Sequence, residues 1–436
     1  MSRVLYRSMW DVLVDIYKQE DYMGVLWKPK DEPIISSMLE TDVYKPLMMN
    51  FIDRFYPNLE AELSFMNRTK VDLTSYIDEG ELREHLQAVA QLEFKDSDIA
   101  YYRSWSMFSE TFLRKLATHR LAMPDFICKN GVFAVQPVGR WFDITDWEVK
   151  TVAIVSELYA RGRAKAGGYT EEDLFKEGKR RLDLKIEFLK AHPYLKGSQF
   201  GLRRRAGSEW EMYVTRRLLE ETKFLTGVSN IFLARELEVE AQGTRAHELD
   251  MAAYAYARGK SDLDARNSMY TTLRDWQQLY GVKALIMLPD AFGTDAFLEG
   301  LPYEYALDWK GFRQDSGDPL VIGEKMIANY GRLQVDSREK LGIFSDGLKI
   351  GPGTMLDIYK RFHERLMVSF GVGTDITNDV GHVAPLSLVM KLTRAAGRST
   401  IKLSDNLAKA TGDPEEINIA KRIFRYTSSF REEVRV

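Results

Sequence analysis

Cysteine is nearly absent from the chain, and this scarcity excludes several kinds of site. Cys128 is the only cysteine among 436 residues. The chain can therefore form no intramolecular disulfide and no zinc or iron–sulfur site built from several cysteines. A reducing, cytoplasmic setting is the expectation that fits this composition.

Long apolar runs, a strong net charge and the common nucleotide-binding loops are also missing. No apolar run approaches the roughly 20 residues that cross a bilayer, and residues 1–30 lack the apolar stretch of a signal peptide. Lys and Arg total 61 against 64 Asp and Glu, a formal charge of −3. Because this net charge is small, no overall electrostatic field favours nucleic acid or a membrane surface as a partner. Without a G-x-x-x-x-G-K-[ST] loop or a G-x-G-x-x-G turn after a strand, any nucleotide binds outside those frameworks.

The length of the chain favours two or three domains. Strand patterns near 61–68 and 126–144 lie among helical patterns, which predicts an α+β domain. Beyond about residue 195, the short apolar stretches 283–288, 305–308, 341–344 and 366–370 predict strands, and each leads into a turn with Asp, Ser, Gly or Thr: Pro289-Asp290, 313–318, 345–347 and 371–374. This arrangement predicts a parallel α/β barrel whose functional groups lie at the carboxyl ends of its strands.

The predicted domain organisation has four parts. It consists of an N-terminal extension (1–35), an N-terminal α+β domain (36–150), an α/β barrel domain (151–385) and a C-terminal segment (386–436) that returns to the first domain. Within the barrel domain, residues 161–195 are densely charged around a Gly-Gly turn. They predict an inserted, solvated helical hairpin rather than a binding surface.

His247 lies at a predicted strand-to-helix transition. Residues 237–241 alternate apolar and acidic side chains as a half-buried strand does, and 249–258 are rich in Ala and Met as a helix is. The first amides of such a helix can hold a phosphate. His247 could act as a general acid or base, or as a nucleophile toward a phosphoryl group. The alternative is a surface or helix-cap histidine beside Glu248.

Two further features predict anion binding. Residues 200–205 (FGLRRR) combine arginines, which bind carboxylate or phosphate, with an aromatic ring that could stack on a flat ligand. The segment could equally be an exposed basic turn before a helix over 209–221. The turns 313–318 (RQDSGD), 345–347 (SDG) and 370–375 (FGVGTD) place small residues directly after strands, where backbone amides can approach phosphate oxygens.

Each of these turns is ordinary by itself, but together they predict a phosphate cradle. Within the first turn, Asp315 or Asp318 could hold a sugar hydroxyl or Mg²⁺.

Seven motifs in order give the chain a resemblance to a known family. They are 41–45 (TDVYK), 200–205 (FGLRRR), 243–248 (GTRAHE), 313–319 (RQDSGDP), 344–346 (FSD), 369–374 (SFGVGT) and 402–405 (KLSD). With these motifs, residues 36–412 resemble nicotinate phosphoribosyltransferases. The resemblance implies a type II phosphoribosyltransferase-like fold, which is an irregular parallel α/β barrel with an N-terminal α+β domain.

The implied reaction belongs to NAD biosynthesis. It joins nicotinate to phosphoribosyl pyrophosphate and gives nicotinate mononucleotide and pyrophosphate. In the family, ATP hydrolysis is coupled to this reaction through a transient phosphohistidine, so the resemblance implies ATP as a co-substrate and Mg²⁺ as a cofactor.

The resemblance also assigns roles to individual residues. His247 matches the phosphorylated histidine, and Arg313 and Asp315 complete the implied catalytic set. Tyr44 matches an aromatic that reaches the partner subunit's site, which implies a homodimer. The implied base-binding residues are Tyr44, Phe200, Arg203 and Ser229. The implied phosphate- and ribose-binding residues are Arg203, Ser316, Gly317, Ser345, Asp346, Gly347, Gly371, Gly373 and Thr374. No metal ligand is assigned.

The nearest alternative is a nicotinamide or quinolinate phosphoribosyltransferase. The related nicotinamide enzymes carry an aspartate where Ser229 stands in our alignment. A carboxylate there would repel nicotinate, so its absence favours the acid. Quinolinate enzymes need no ATP and release carbon dioxide. A Schiff-base aldolase and an inactive binding protein are more distant alternatives.

Overall fold

The computed structural model describes residues 24–129 and 131–432. Within them the strands are β1 (Glu60–Asn67), β2 (Asp125–Lys129), β3 (Val132–Gln136), β4 (Val138–Arg140), β5 (Gly197–Gln199), β6 (Leu225–Val228), β7 (Ile286–Met287), β8 (Gly311–Gln314), β9 (Leu341–Phe344), β10 (Met367–Val372), β11 (Leu388–Ala395) and β12 (Arg398–Ser399).

The α-helices of the same residues are α1 (Tyr44–Phe55), α2 (Glu79–Ala90), α3 (Asp96–Ser104), α4 (Glu110–Ala117), α5 (Trp141–Ile144), α6 (Trp147–Ala166), α7 (Glu171–Ala191), α8 (Ser208–Glu221), α9 (Ile231–Glu236), α10 (His247–Arg258), α11 (Asp262–Tyr280), α12 (Thr294–Glu299), α13 (Tyr303–Asp308), α14 (Pro319–Arg332), α15 (Thr354–Phe362), α16 (Thr374–Thr377) and α17 (Pro414–Ile423).

A parallel sheet carries most of the predicted motifs. In the described residues it has six strands in the order β6-β5-β10-β9-β8-β7. Short buried strands of this kind are typical of parallel sheets, whose two faces are both covered. The carboxyl ends of β5, β8, β9 and β10 lead directly into the turns that the sequence marked. The predicted α/β fold with a parallel sheet and an N-terminal domain is confirmed.

A second, antiparallel sheet joins distant parts of the chain. Its strand order is β12-β11-β1-β4, and β11 pairs antiparallel with β1. Residues 388–395 therefore lie in one sheet with residues 60–67. The helices α6 and α10 both pack against β11. Because α10 begins at His247 and α6 contains Glu148, this sheet supports two sides of the site described below.

Two local predictions are wrong. Residues 237–241 do not form a strand, because Glu238 adopts a left-handed conformation (φ 53°) that a strand cannot contain. Only Ala241 makes an isolated bridge, to Val228. Residues 305–308 belong to helix α13, and the strand follows at Gly311–Gln314. An apolar run of this length does not distinguish a strand from a helix.

The charged segment 161–195 forms the expected helical hairpin, since α6 and α7 flank Gly167 and Gly168. Its first residues belong to α6, which begins at Trp147, so the hairpin is not separate from the preceding helix. The Asn130-Gly131 pair is a sequence signal for a hairpin turn, and the β2–β3 hairpin surrounds Gly131, while Asn130 lies outside the described residues. Among the described helices, none has the length and apolar character to span a membrane.

Gly162 provides a test of the packing of α6. A Cβ atom at this position would lie 1.8 Å from the backbone oxygen of Tyr76. Gly to Ala substitution inside a helix normally stabilises a protein by about 0.5–1 kcal/mol. For Gly162→Ala we expect instead a loss of about 1–3 kcal/mol in the free energy of unfolding, as in overpacked cores.

The matched control is Gly331→Ala in α14, where a Cβ atom would meet no other atom within 4 Å. This control should leave the free energy of unfolding unchanged or raise it slightly. Urea unfolding of both variants measures the difference, and equal stabilities would contradict the packing argument.

Candidate active site

A cavity of about 600 Å³ lies at the carboxyl ends of the parallel strands. Strand β11 of the antiparallel sheet contributes to its wall through Val389 and Lys391. Twelve of the residues implied by the family resemblance line it: Tyr44, Phe200, Arg203, Ser229, Arg313, Asp315, Ser345, Asp346, Gly347, Gly371, Gly373 and Thr374. The structure therefore brings together residues that are more than 300 positions apart in the chain.

His247, Ser316 and Gly317 are the implied residues that do not line the cavity. His247 lies behind Asp315, with 3.7 Å between its Nδ1 and the Oδ2 atom of Asp315. Ser316 donates a hydrogen bond of 2.7 Å to Asp290 Oδ2. Gly317 has a left-handed backbone (φ 77°), which lets the turn after β8 close.

Asp290 fixes the imidazole of His247. Its Oδ1 atom lies 2.7 Å from His247 Nε2, and Lys402 Nζ lies 3.0 Å from Oδ2. Burial alone would raise the pKa of Asp290, but His247 and Lys402 hold that pKa well below its usual range. A carboxylate at this distance accepts a hydrogen bond from the protonated Nε2 atom. In this tautomer, Nδ1 carries the free lone pair.

Burial also determines the charge of His247. It lowers the pKa of the imidazole below its ordinary value, and Asp290 only partly offsets this effect. The ring is therefore neutral near pH 7, which is the form that acts as a nucleophile. The sequence marked position 290 only as the end of a strand and did not identify Asp290 as the partner of His247.

Glu148 organises the other end of the cavity. Its Oε1 atom accepts a hydrogen bond of 2.9 Å from Arg203 Nη1, and its Oε2 atom accepts one of 3.1 Å from the Tyr44 hydroxyl. Sequence reasoning missed Glu148. The available signal was a glutamate at the start of an otherwise apolar helix, a residue type that is seldom buried without a partner.

A carboxylate, that of Asp42, lies next to Ser229 in the cavity wall. The Ser229 hydroxyl donates a hydrogen bond of 2.6 Å to Asp42 Oδ1, and Asp42 Oδ2 lies 3.3 Å from Arg203 Nε. Burial raises the pKa of Asp42, while Arg203 opposes this shift. The charge beside Ser229 therefore depends on the balance between Asp42 and Arg203 as well as on the residue at position 229.

Phe200 explains two of the glycines that the sequence linked to phosphate. A Cβ atom on Gly371 would lie 2.5 Å from the Phe200 ring, and one on Gly373 would lie 3.1 Å from the Phe200 backbone oxygen. The Phe200 amide also donates a hydrogen bond of 2.8 Å to the oxygen of Val372. Glycine at 371 is thus required for Phe200 to occupy its place in the cavity wall.

Three further cations line the cavity: Arg204, from the FGLRRR segment, and Arg68 and Lys391, which sequence analysis did not identify. Within the described residues, none of the three side chains forms a hydrogen bond or an ion pair. Burial lowers the pKa of Arg68, and burial with the nearby Arg203 lowers that of Arg204 to about 10. Burial lowers the pKa of Lys391 to about 7. Cations without carboxylate partners form a site suited to an anionic ligand.

The charged hairpin contributes to the cavity after all. Arg181 of α7 lines the cavity and donates a hydrogen bond of 2.7 Å to Asp379. Lys185 Nζ lies 2.7 Å from Asp379 Oδ2 and 3.3 Å from Asp375 Oδ1. These ion pairs hold the segment that follows Thr374. The expectation of a purely solvated hairpin is therefore wrong, because this face of α7 packs against the site.

Two carboxylates lie close enough to His247 to form a potential metal site with it. Single ligand atoms of His247, Asp290 and Asp315 lie within 4.8 Å of one another. Both oxygens of Asp290 are already engaged, by His247, Ser316 and Lys402. In the described part of the chain, Asp315 is therefore the member of this group with a carboxylate oxygen available to a cation such as Mg²⁺.

Comparison with known proteins identifies the family. A model of the nicotinate phosphoribosyltransferase family matches residues 195–428, and a model of the N-terminal domain of that family matches residues 39–156. The chain belongs to the nicotinate phosphoribosyltransferase family. It is therefore an enzyme of NAD biosynthesis that acts on nicotinate.

Solved structures agree with this membership. The chain is similar to a nicotinate phosphoribosyltransferase from Vibrio cholerae, with 30% identity and a TM-score of 0.82, over 93% of this chain and 97% of that one. It is also similar to the nicotinate phosphoribosyltransferase from Porphyromonas gingivalis, with 29% identity and a TM-score of 0.80. That alignment covers 90% of this chain and 100% of the other.

The contact between Gly371 and Phe200 gives a prediction about base binding. A methyl group in Gly371→Ala displaces the Phe200 ring, so we expect the KM for nicotinate to rise about tenfold, as expected for a lost ring contact of about 1.5 kcal/mol. Steady-state kinetics of Gly371→Ala, Phe200→Ala and the double variant measure this. The Gly371→Ala change should have little further effect once Phe200 is absent. A rise confined to the KM for phosphoribosyl pyrophosphate would instead assign Gly371 to phosphate binding.

Proposed function

We propose that the chain couples ATP hydrolysis to the formation of nicotinate mononucleotide, through phosphorylation of His247 on Nδ1. The observation that carries this proposal is the orientation of the imidazole. Asp290 engages Nε2 at 2.7 Å, while Nδ1 faces Asp315 at the edge of the cavity. A histidine whose second nitrogen is held by a buried carboxylate has the arrangement of an activated nucleophile.

The phosphoryl step follows from this arrangement. The Nδ1 lone pair attacks the γ-phosphorus of ATP, an N–P bond forms, and the bond to the bridging oxygen breaks and releases ADP. Asp290 stabilises the positive charge that develops on the ring and keeps the Nε2 proton in place. Water later cleaves the N–P bond and returns the neutral histidine with inorganic phosphate.

The transfer step needs positioning and charge neutralisation. The pyridine nitrogen of nicotinate attacks the anomeric carbon of phosphoribosyl pyrophosphate, and pyrophosphate leaves with the electrons of the broken C–O bond. We assign Phe200 and Tyr44 to the base. We assign the unpaired cations Arg68, Arg204 and Lys391 to the polyphosphate, because a preformed cluster of positive charge stabilises a departing anion. Mg²⁺, held by Asp315 and phosphate oxygens, would supply further neutralisation.

We also propose, as finer points, a homodimer in the cytoplasm. The single cysteine supports a reducing compartment. Tyr44, whose family counterpart implied the dimer, lines the cavity of its own chain together with Phe200 and Arg203. A second copy is therefore not needed to supply this ring, and the sedimentation coefficient of the purified protein decides between one chain and two.

The role of His247 is tested by labelling with γ-phosphate-labelled ATP. We expect an acid-labile phosphoprotein with the unaltered chain and none with His247→Ala. With Asp290→Asn we expect labelling to be roughly 10²- to 10⁴-fold slower, since the ring loses its orienting carboxylate. His363→Ala is the control, because His363 is an exposed histidine stacked on Tyr359. Label retained in His247→Ala would refute the assignment.

The pH dependence of substrate binding tests Lys391. Because its pKa is about 7, the side chain loses its charge as the pH rises from 6 to 8. A bound anion favours the charged form, so the KM for phosphoribosyl pyrophosphate should rise about tenfold over that interval, as for the loss of one charge-assisted contact.

The control for this pH dependence is Lys391→Arg, which stays charged and should flatten the profile. Titration of the substrate phosphates affects both enzymes equally. Identical pH profiles for the two enzymes would remove Lys391 from the polyphosphate site.

A further inference from the structure

Lys45 is a fully buried lysine that joins two glutamates from different parts of the chain. Its side chain is 0% exposed, and its Nζ atom lies 2.8 Å from Glu148 Oε2 and 3.0 Å from Glu248 Oε2. Nζ also donates a hydrogen bond of 2.7 Å to the backbone oxygen of Thr145. Lys45 does not line the cavity, so it has no direct role in holding substrate.

The two glutamates lead to opposite ends of the site. Glu148 accepts hydrogen bonds from Arg203 and from the Tyr44 hydroxyl, which belong to the base-binding end. Glu248 follows His247 directly at the start of α10. Through Lys45, the backbone that carries the histidine is therefore connected to the two side chains that face the base.

The connection is stiff because its charges are buried. Burial would lower the pKa of Lys45, but Glu148 and Glu248 outweigh this effect and raise that pKa. Glu248 is held at its other oxygen by Trp141 Nε1 at 2.5 Å and by the Thr145 hydroxyl at 2.8 Å. Separating a buried charge from its partner is strongly unfavourable, so these groups move together.

We propose that Lys45 is a positioning residue that transmits the phosphorylation state of His247 to Arg203 and Tyr44. This inference rests on the proposed phosphohistidine. A phosphoryl group on Nδ1 adds about −1.5 to −2 charges beside the Asp315 carboxylate, which is 3.7 Å away. The repulsion displaces His247 and the first turn of α10.

The displacement then passes along the ion pairs. Glu248 moves with its neighbour His247, Lys45 follows Glu248, and Glu148 follows Lys45. Glu148 is the common acceptor for Arg203 and Tyr44, so both of these side chains are repositioned. Phosphorylation thereby changes affinity for the base through a contiguous set of buried contacts and not through long-range charge alone.

The decisive variant is Glu248→Gln. It removes the charge at the oxygen that faces Lys45 and leaves an amide oxygen for Trp141 and Thr145. The KM for nicotinate is measured with and without ATP, with the phosphoprotein quantified in the same samples. For the unaltered enzyme we expect ATP to change this KM by 5- to 150-fold, the usual range for coupled sites. In Glu248→Gln we expect phosphorylation to persist while the ATP-dependent change falls below twofold.

Two lysine variants complete the test. Lys45→Met breaks both ion pairs and should also abolish the ATP-dependent change; if it does not fold, Glu248→Gln decides. Lys150→Met is the matched control, because Lys150 is also 0% exposed and lies 3.1 Å from a buried carboxylate, that of Asp146. Lys150 forms no hydrogen bond or ion pair with Glu148 or Glu248 and donates instead to the backbone oxygens of Met38 and Glu40. This control should lose stability but keep the ATP-dependent change in KM.

The outcomes separate the two proposals. An unaltered enzyme that forms no phosphohistidine overturns both the ATP coupling and the role of Lys45. A phosphorylated Glu248→Gln variant with an unchanged ATP-dependent KM for nicotinate overturns the role of Lys45 alone. Loss of the ATP-dependent change in Lys150→Met as well would attribute the effect to weakened packing and overturn the specific connection.

Discussion

The pairing of buried charges is the constraint on which the site depends. Charged side chains are costly to bury unless they are paired, so each buried carboxylate fixes the cation that neutralises it. Glu148 on α6 fixes the cations Lys45 and Arg203, and Asp290 fixes the cation Lys402 and also accepts a hydrogen bond from the neutral His247 ring. These groups lie on segments more than 40 residues apart in the chain. Their pairing therefore determines how α1, α6 and α10 meet, and the cavity lies where these segments adjoin the parallel sheet.

The antiparallel sheet gives this arrangement its support. Strand β11 pairs with β1, packs against α6 and α10, and adds Lys391 to the cavity wall. The cations Arg68, Arg204 and Lys391 lack carboxylate partners among the described residues, and burial lowers the pKa of each. On the assignment that we propose, a bound polyphosphate would relieve this unfavourable state. The fold thus holds unpaired cations in a position where only an anionic ligand can neutralise their charge.

The sequence predicted the parts of the site that local patterns reveal. Small residues at the ends of short apolar strands mark the turns at Asp315, Ser345 and Gly371, because close approach of a ligand or, at Gly371, of the Phe200 ring needs small residues within a few positions. Residues that only the topology of the fold brings to the site left no such pattern in the sequence. Glu148 has its partners Tyr44 and Arg203 at 104 and 55 positions along the chain, and Lys391 lies on a strand that pairs with the distant β1. Residues 237–241 alternate apolar and acidic side chains as a strand does, but the predicted strand is wrong because Glu238 has a left-handed backbone. The alternation of side chains does not reveal the backbone conformation of one residue.

The charged side chains of the cavity also affect its preference for an acid as substrate. Arg203 is already shared between Glu148 and Asp42, at 2.9 Å and 3.3 Å, so little of its charge remains for a carboxylate on the base. Arg313 has fewer charged partners than Arg203. It makes a single contact of 3.4 Å to Asp315, and its buried Nε atom has no partner among the described residues. We therefore expect selectivity for an acid to depend more on the surplus of arginine charge around the cavity than on Ser229. The carboxylate of Asp42 lies beside that serine, and its effect on nicotinate is countered by Arg203.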